Sequence, residues 1–272
     1  MKNRFLIFGR GFIGSRIAEE FDCRISDRKI YSIQDAEEEI NKFSPEIIIN
    51  SIGYTGRNVN DCELDKDKTL TANAFAPIVL SEAALRNNIR LVHISSGCIF
   101  NFDYSKDEPI RDDKTPDYFD LFYSRSKIYS EQALRILSQK YPILIVRIRV
   151  PLDNRPHPKN LLDKLINYKR IIDLPNSVTY VPDFMSALGH LIKEEARGIY
   201  NVVNKGALKY PQLMEIYKRH VPNFEYRVIG YKELGLVRTN VILSTTKLES
   251  TGFKVRDVHE VLEECVRDYL KY

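Results

Sequence analysis

Tyr123 and Lys127 are the two residues whose types and spacing point most directly to chemistry. They lie four positions apart in a segment with a helical pattern, so both side chains share one face of the predicted helix. A nearby ammonium group favours the phenolate and lowers the pKa of a tyrosine. Tyr123 is therefore a candidate to give a proton to a carbonyl oxygen as hydride arrives. The alternative is a pair of exposed side chains at a common helical spacing.

Ser96 and Cys98 follow an apolar, β-branched run at residues 90–95. Such a run predicts a central strand of a parallel sheet, and substrates of open α/β sheets bind beyond the carboxyl ends of the strands. We expect Ser96 to hold the same carbonyl oxygen as Tyr123. Cys98 lies two residues beyond Ser96, where its thiol would stand to the side of the bound carbonyl. The alternative for Cys98 is a small buried hydrophobic residue.

A glycine loop with the pattern GxGxxG stands between the first predicted strand, at residues 4–8, and the first predicted helix, at residues 11–21. Glycines there allow a tight turn and the close approach of a pyrophosphate to the N-terminus of the helix. A plain tight turn is the alternative. The candidate cofactor-binding residues are Gly9, Arg10, Gly11, Phe12, Ile13, Gly14, Arg28, Lys29, Tyr123 and Lys127.

The choice between NAD and NADP depends on the end of the second predicted strand, at residues 24–26. An acidic residue there binds the ribose 2′-hydroxyl of NAD, whereas basic residues suit the 2′-phosphate of NADP. Asp27 is acidic, but Arg10, Arg28 and Lys29 outnumber it. We therefore expect NADP(H).

Strands and helices alternate along the first 150 residues, which predicts an α/β fold with a Rossmann-like, doubly wound parallel sheet. The predicted strands are residues 4–8, 24–26, 46–50, 90–95 and 143–150, and the predicted helices are residues 11–21, 32–43, 70–87 and 118–140. After a proline-rich loop at residues 151–159, a smaller α/β substrate-binding region is expected, with helices at 160–169, 182–194, 211–220 and 257–270 and strands at 199–203 and 226–229. The expected domains are residues 1–150 for the dinucleotide and residues 151–272 mainly for the substrate, with segments that return to the main sheet.

The composition excludes several classes of protein. The 272 residues carry a net charge of +4, with 41 basic and 37 acidic side chains, which gives no case for nucleic acid. The four cysteines have no CxxC pairing, so neither a metal site nor a disulfide framework is expected. The first residues are too short an apolar run for a signal peptide, and no stretch is long enough to span a bilayer. We expect a cytoplasmic protein that does not bind membranes.

These motifs together resemble the extended short-chain dehydrogenase/reductase superfamily over nearly the whole chain. The segment 238–248 resembles the dTDP-4-dehydrorhamnose reductase branch. Segments 50–63, 96–100, 122–127, 158–164 and 174–178 are similar to the bifunctional UDP-4-keto-6-deoxyglucose 3,5-epimerase/4-reductases of UDP-L-rhamnose synthesis. Many extended members have a glycine loop that is one residue longer.

The resemblance implies residue roles that the sequence alone does not give. It implies NADPH as cofactor, the set Ser96, Tyr123 and Lys127 for reduction, and Cys98 with Lys164 for epimerisation. Lys164 would otherwise be read as part of a solvated helix face. The resemblance also implies a homodimer built on the predicted helices at 70–87 and 118–140.

The expected function is conversion of a nucleotide-linked 4-keto-6-deoxyglucose, with UDP favoured over dTDP, to the nucleotide L-rhamnose. Asn160, Arg238 and Arg57 are candidate contacts to the nucleotide sugar, each with a surface role as the alternative. Two other functions remain open: a reductase without epimerase activity, and a non-catalytic dinucleotide-binding regulatory subunit. A 4,6-dehydratase is disfavoured because Gly97 and Cys98 stand where those enzymes carry an Asp-Glu pair.

Overall fold

Six strands form one large sheet that organises the first part of the chain. The structure is a computed structural model that describes residues 4–235 and 237–272. In chain order its strands are β1 (Phe5–Phe8), β2 (Arg24–Ser26), β3 (Ile47–Asn50), β4 (Arg90–Ser96), β5 (Ile143–Ile148), β6 (Pro151–Leu152), β7 (Arg170–Ile172), β8 (Thr179–Tyr180), β9 (Gly198–Asn201) and β10 (Arg227–Ile229). The large sheet has the order β2-β1-β3-β4-β5-β9. Its parallel strands confirm the expected Rossmann-like, doubly wound fold.

Helices connect the strands. They are α1 (Phe12–Glu20), α2 (Ile33–Phe43), α3 (Asp61–Leu64), α4 (Lys66–Leu70), α5 (Ala76–Arg86), α6 (Phe122–Leu137), α7 (Leu161–Tyr168), α8 (Val181–Lys193), α9 (Tyr210–His220), α10 (Thr246–Glu249) and α11 (Val258–Tyr269). The sequence predicts a capping box at the start of α2, and it is present: Ser32 and Asp35 each accept a hydrogen bond from the other's backbone N–H.

The helix predicted at residues 70–87 is not continuous. It begins earlier, as α3 and α4, and the π-helical segment Thr71–Phe75 joins α4 to α5. A π turn accommodates an extra residue in the helix and is frequent at functional sites. The apolar periodicity of the sequence gives no sign of it, because the inserted turn keeps buried residues on the inner face.

The helix predicted at residues 118–140 starts four residues later, as α6. The backbone N–H groups of Asp117 and Tyr118 both donate to the carbonyl oxygen of Ile99, at 3.1 Å each. Leu121, which precedes α6, has an extended backbone. These contacts fix the chain outside the helix and place its first turn at Phe122.

Apolar side chains of the large sheet pack against the helices that connect its strands. Leu6, Ile48, Leu91 and Ile145 come from four neighbouring strands and are fully buried in one cluster with residues of α2, α5 and α6. Burial of these side chains fixes the register of the strands. The carboxyl ends of β1, β3 and β4 are thereby held at one edge of the sheet.

The chain divides into two compact units. The first contains the residues up to Ile99 together with Pro116–Arg147 and Leu191–Tyr200, and the second contains Phe100–Thr115, Ile148–His190 and Asn201–Tyr272. The second unit has its own core, in which α7, α9 and α11 bury Leu162, Leu213 and Leu262. It also holds two small parallel sheets, β6-β8 and β7-β10. Within the described residues, no helix is long and apolar enough to cross a membrane.

Candidate active site

The three glycines of the loop after β1 differ in what a side chain would meet at each position. Gly9 has φ +107°, and a Cβ built there would lie 2.6 Å from the backbone N of Ile52. A Cβ on Gly14 would lie 2.0 Å from the carbonyl oxygen of Gly9 and 2.3 Å from Oγ of Ser51. A Cβ on Gly11, in contrast, would meet no described atom within 4 Å. Gly9 and Gly14 are therefore required by the fold, whereas Gly11 leaves an open space beside the backbone.

The N-terminus of α1 opens onto this space. Phe12 and Ile13 are the first residues of the helix, Gly11 provides no capping side chain, and the first turn holds no acidic residue. The positive end of a helix attracts anions, and no negative charge of its first turn opposes one here. The loop thus fits the pyrophosphate of a dinucleotide, and the individual contacts of residues 9–14 stay predictions.

Arg10 and Asp27 form an ion pair at the point where the ribose of a dinucleotide is expected. Nη2 of Arg10 lies 2.6 Å from Oδ1 of Asp27, and both side chains are exposed. Lys29 is exposed nearby in sequence and makes no ion pair with any residue in the described ranges. Arg10 and Lys29 are therefore accessible cations at the end of β2, and Arg10 offsets the negative charge of Asp27.

Arg28, the third basic residue expected at this position, contacts α2 instead. Its Nε lies 3.1 Å from Asp35, and its Nη2 lies 2.7 Å from Glu38. The hydrogen bond to Asp35 and the two carboxylates raise the pKa of Arg28. Its role in cofactor binding stays a prediction, and it would require exchange of these partners for a phosphate.

Ser96 and Ser124 hold the backbone of Cys98 from two sides. Oγ of Ser96 accepts a hydrogen bond of 3.1 Å from the Cys98 N–H, and Oγ of Ser124 donates one of 2.5 Å to the Cys98 carbonyl oxygen. Because Ser96 uses an oxygen lone pair in this contact, its O–H proton remains to be donated. Cys98 is partly exposed, and none of the four cysteines, all in the described ranges, forms a disulfide.

Tyr123 and Lys127 are buried, so the alternative of two exposed side chains does not hold. Their exposed fractions are 7% and 5%. Nζ of Lys127 lies against the loop after β3, 3.4 Å from a Cβ built on Gly53. Burial lowers the pKa of Lys127 to about 8, against the opposing effects of Glu131 and Cys98. The Lys127 amine is thus held in a buried position beside the loop after β3.

A buried ion pair lies one helical turn beyond Lys127. The guanidinium of Arg147, on β5, contacts both carboxylate oxygens of Glu131, with Nη2 and Oε1 2.5 Å apart. Oγ of Ser95, on β4, donates to the same carboxylate at 2.6 Å. Glu131 and Arg147 are almost fully buried. The carboxylate therefore joins α6 to the two strands below it, and sequence separation conceals this partnership from local pattern analysis.

His93 lies on the same strand as Ser95 and is fully buried. Its Nδ1 is 3.1 Å from the amide nitrogen of Asn50, at the end of the neighbouring strand β3. Burial and the charge of Lys127 hold the pKa of His93 well below its usual range. A neutral, buried imidazole of this kind packs in the sheet and is not placed to act as an acid.

Two polar residues that sequence patterns did not single out fix the elements of the site. The amide of Asn73, in the π-helical segment, pairs with both the N–H and the C=O of Tyr54 and also donates to Ser126 on α6. The carboxylate of Glu63, on α3, accepts a 2.6 Å hydrogen bond from the N–H of Phe122. A buried asparagine in an alanine-rich helix is the only local signal for the first. No local signal exists for the second.

Asn160 is the N-cap residue immediately before α7, and Lys164 lies on the first turn of α7, in the second unit. The Asn160 carboxamide is fully buried. Its oxygen accepts from the N–H groups of Asp153 and Leu162, and its nitrogen donates to the carbonyls of Asp153 and Arg155. It therefore organises the proline-rich loop in this structure, and its contact with substrate stays a prediction. Lys164 is half-buried, and its role stays a prediction too.

The two remaining candidates are surface arginines in different units. Arg57 is 90% exposed, and its Nε lies 3.3 Å from Asp61. Arg238 is partly exposed and donates to the carbonyl oxygen of Val237, while its backbone contacts the hydroxyl of Tyr231. Both side chains are accessible to an anionic ligand. Their assignment to the diphosphate stays a prediction.

The sequence profile of one family, described as the RmlD substrate binding domain, matches residues 5–270. The chain belongs to this family. The expected resemblance to the dTDP-4-dehydrorhamnose reductase branch is thereby confirmed. Among the described residues of this RmlD-family chain, no group of three or more His, Cys, Asp or Glu side chains is arranged to hold a metal ion.

Two relatives from Arabidopsis thaliana differ in how much of their own length the RmlD-family chain spans. The chain is 25% identical to the trifunctional UDP-glucose 4,6-dehydratase/UDP-4-keto-6-deoxy-D-glucose 3,5-epimerase/UDP-4-keto-L-rhamnose-reductase RHM2 over 99% of its own length, but it spans only 41% of that protein. It is 26% identical to the bifunctional dTDP-4-dehydrorhamnose 3,5-epimerase/dTDP-4-dehydrorhamnose reductase, with 96% of this chain and 92% of that protein covered.

Two solved structures illustrate the likeness in fold. The L780 UDP-rhamnose synthase of Acanthamoeba polyphaga mimivirus has a TM-score of 0.90 and 22% identity, with 97% of this chain and 98% of that chain covered. The dTDP-4-dehydrorhamnose reductase of Bacillus anthracis, solved in complex with NADP, has a TM-score of 0.84 and 23% identity, with 100% and 99% covered. At these identities the likeness establishes the fold.

Proposed function

We propose that the chain is an NADPH-dependent 3,5-epimerase/4-ketoreductase that converts a nucleotide-linked 4-keto-6-deoxyglucose to the nucleotide L-rhamnose. UDP is the proposed nucleotide. The coarser part of this proposal, a 4-ketoreductase of rhamnose synthesis, is supported by the family and by the activities named for the relatives. The epimerase activity and the choice of UDP go beyond what the family and the relatives support.

One observation carries the epimerase part of the proposal. The backbone of Cys98 is tied to Ser96, the candidate carbonyl-binding residue, and to Ser124, the neighbour of the candidate acid Tyr123. A thiol placed there lies beside the carbonyl that a reductase would hold. The same residues that bind a C4 carbonyl for reduction would then stabilise the enolate formed when a hydrogen leaves C3 or C5.

The proposed epimerisation moves protons without changing the oxidation state of the sugar. The Cys98 thiolate takes a proton from C3 or C5, and the electron pair of that C–H bond passes to the C4 oxygen as an enolate. The O–H groups of Ser96 and Tyr123 donate to this oxygen. Lys164, which the family resemblance assigns as the acid, returns a proton to the opposite face of the carbon and inverts it.

The proposed reduction uses the same oxygen contacts. NADPH, when bound at the glycine loop, supplies hydride to C4. Tyr123 gives its phenolic proton to the C4 oxygen, and the ammonium of Lys127 stabilises the phenolate that remains. Ser96 keeps the oxygen in place during the transfer. The product carries the hydroxyl of L-rhamnose at C4 if C3 and C5 have been inverted first.

The test is analysis of the product formed from UDP-4-keto-6-deoxyglucose and NADPH in deuterated water. We expect UDP-L-rhamnose with deuterium at both C3 and C5 by mass spectrometry and NMR. Cys98→Ser replaces a thiol of pKa about 8.5 with a far weaker acid and should abolish exchange at both carbons while NADPH still binds. Tyr123→Phe should slow reduction by about 10²–10⁴-fold. Lys164→Met should allow exchange but prevent inversion.

A matched cysteine variant makes the result specific. Cys23, half-buried between α1 and β2, is remote in sequence from Cys98, and Cys23→Ser should leave exchange unchanged. A fully inverted, doubly deuterated product from Cys98→Ser at the parent rate would contradict the epimerase assignment and favour a reductase without epimerase activity. No oxidation of NADPH by the parent chain would favour a regulatory subunit.

The proposed assembly is a homodimer built on the two helices expected at residues 70–87 and 118–140. Three large apolar side chains are exposed there: Phe75 in the π-helical segment at 55%, and Tyr129 and Ile136 on one face of α6 at 47% and 69%. Burial of such side chains in a partner subunit would remove them from water. Tyr129→Glu should give a monomer in size-exclusion chromatography with light scattering. A cytoplasmic location also stays a prediction.

A further inference from the structure

The turn at residues 97–99 carries Cys98 and is held at three backbone groups. Oγ of Ser96 accepts a hydrogen bond from the Cys98 N–H, and the Ile99 carbonyl oxygen accepts hydrogen bonds from the N–H groups of residues 117 and 118. The third contact comes from a helix: the Ser124 hydroxyl, on the first turn of α6, donates a hydrogen bond to the Cys98 carbonyl oxygen. The bond is 2.5 Å long and Ser124 is fully buried.

Ser124 also differs from the other buried serines of α6. Ser126 and Ser130 donate to carbonyl oxygens of their own helix, those of Tyr123 and Lys127, at 2.7 and 3.1 Å. Such bonds within a helix are a common alternative to exposure of the hydroxyl. Among these three serines, Ser124 is the one whose hydroxyl donates outside the helix, and it does so to the peptide of the candidate base.

We propose that Ser124 is a positioning residue for epimerisation, which holds the Cys98 thiol in register with Tyr123 through its bond to the Cys98 carbonyl. This inference rests on the proposed function. A base must lie within hydrogen-bond reach of the carbon-bound hydrogen, and a displacement of about 1 Å can cost about 10²-fold in rate. Loss of the hydroxyl would free the Cys98 carbonyl from α6 and permit a displacement of that size.

The reduction should depend less on this contact. Ser96 belongs to β4, whose register is fixed by its neighbours β3 and β5. Tyr123 and Lys127 belong to α6, which is held by Glu63 at its start and by Glu131 one turn beyond Lys127. These contacts remain when the Ser124 hydroxyl is removed. The two half-reactions should therefore respond differently to one substitution.

The experiment compares Ser124→Ala and Ser130→Ala in the full chain. Epimerisation is measured alone as deuterium uptake into UDP-4-keto-6-deoxyglucose without NADPH. The redox step is measured alone as NADP⁺-dependent oxidation of UDP-L-rhamnose, which needs no inversion. We expect Ser124→Ala to lower kcat for exchange by about 10–10²-fold with KM unchanged. Its oxidation rate, and both rates of Ser130→Ala, should stay close to those of the parent.

Three outcomes would overturn the inference. Unchanged exchange in Ser124→Ala would show that the bond does not position Cys98. An equal fall in exchange and oxidation would show that Ser124 supports the whole helix instead. A similar fall of exchange in Ser130→Ala would show that any buried serine of α6 has the effect. A parent chain that neither exchanges nor oxidises would instead contradict the proposed function itself.

Discussion

The carboxylate of Glu63 accepts a hydrogen bond of 2.6 Å from the backbone N–H of Phe122, the first residue of α6. Leu121, which precedes the helix, provides no capping side chain. Glu63 therefore takes the part of a cap from another helix, α3, and places a negative charge at the positive end of α6. The next residue of α6 is Tyr123, so this contact stabilises the helical turn that carries the candidate acid.

Glu63→Ala should lower the free energy of unfolding by about 1–2 kcal/mol, the usual effect of losing an N-cap contact. Glu63→Gln keeps a carbonyl oxygen for the Phe122 N–H and should lose less. Urea unfolding followed by circular dichroism measures both. Glu20→Ala, a substitution of an exposed glutamate in α1, is the control and should change stability by less than about 0.5 kcal/mol. Equal losses in Glu63→Ala and Glu20→Ala would argue against a capping role.

Gly11 and Gly14 should respond in opposite ways to the same added methyl group. Gly14→Ala places a Cβ 2.0 Å from a backbone oxygen, so the fold should lose about 1–3 kcal/mol of stability. Gly11→Ala meets open space and should leave stability unchanged, yet weaken NADPH binding by occupying the space of the pyrophosphate. Urea unfolding and fluorescence titration with NADPH separate the two effects. Full NADPH affinity in Gly11→Ala would place the phosphates elsewhere.

The rate of reduction should fall as pH rises through about 8. Burial lowers the pKa of Lys127 to about that value, so its ammonium, which supports the Tyr123 phenolate, loses its proton there. Burial lowers this pKa, and Glu131 on the same helix, Cys98 and Cys62 oppose that effect, while the charge of Lys127 in turn lowers the pKa of His93 on β4. The measurement is kcat/KM for NADPH oxidation against pH. A flat profile from pH 7 to pH 9, a window of about one unit on either side of the Lys127 pKa, would contradict the assignment.

Substitution of the buried ion pair tests the same pKa from another direction. Glu131 raises the pKa of Lys127, so its loss should move the alkaline fall of the profile to lower pH. Glu131→Gln alone leaves a buried guanidinium without its carboxylate and should be strongly destabilising, by about 3–5 kcal/mol. Glu131→Gln combined with Arg147→Met avoids that cost. If the single and the double variant both fold and show the same pH dependence of kcat/KM as the parent, Glu131 does not influence the pKa of Lys127.

Arg10 and Arg28 should differ in their effect on cofactor preference. Arg10 pairs with the exposed carboxylate of Asp27 and can exchange that partner for a 2′-phosphate. A charge-assisted hydrogen bond is worth about 1.5–3 kcal/mol, so Arg10→Ala should reduce the preference for NADPH over NADH by at least about tenfold. Arg28→Ala, which removes contacts to α2, should change the preference less. The check is titration with both nucleotides, and the reverse order would assign the phosphate to Arg28.

Local patterns predicted the parts of the structure that depend on local physics. The glycine loop, the strands of the large sheet and the helical spacing of Tyr123 and Lys127 follow from periodicity and backbone geometry. The start of α6 does not, because contacts of residues 117 and 118 with Ile99 set it. The π-helical turn at Asn73 likewise depends on pairing with Tyr54, 19 residues earlier in the chain.

Contacts between side chains of different helices and strands could not be predicted from the sequence. Glu131 and Arg147 are 16 residues apart, and Glu63 and Phe122 are 59 apart, so no spacing rule relates them. Asn160 makes the N-cap contact that is typical of an asparagine before a helix, and its contact with the substrate stays a prediction. Lys164 rests on resemblance alone.

The position of β9 determines how the chain can be shortened. This strand comes from residues far along the chain, yet it covers the outer side of β5 in the large sheet. Without β9, the strand β5 would become an edge strand that is rich in β-branched side chains. Its backbone N–H and C=O groups would be open to hydrogen bonds with other molecules. A fragment that stops before Gly198 should therefore form aggregates through strand-to-strand pairing, rather than remain a dispersed nucleotide-binding half.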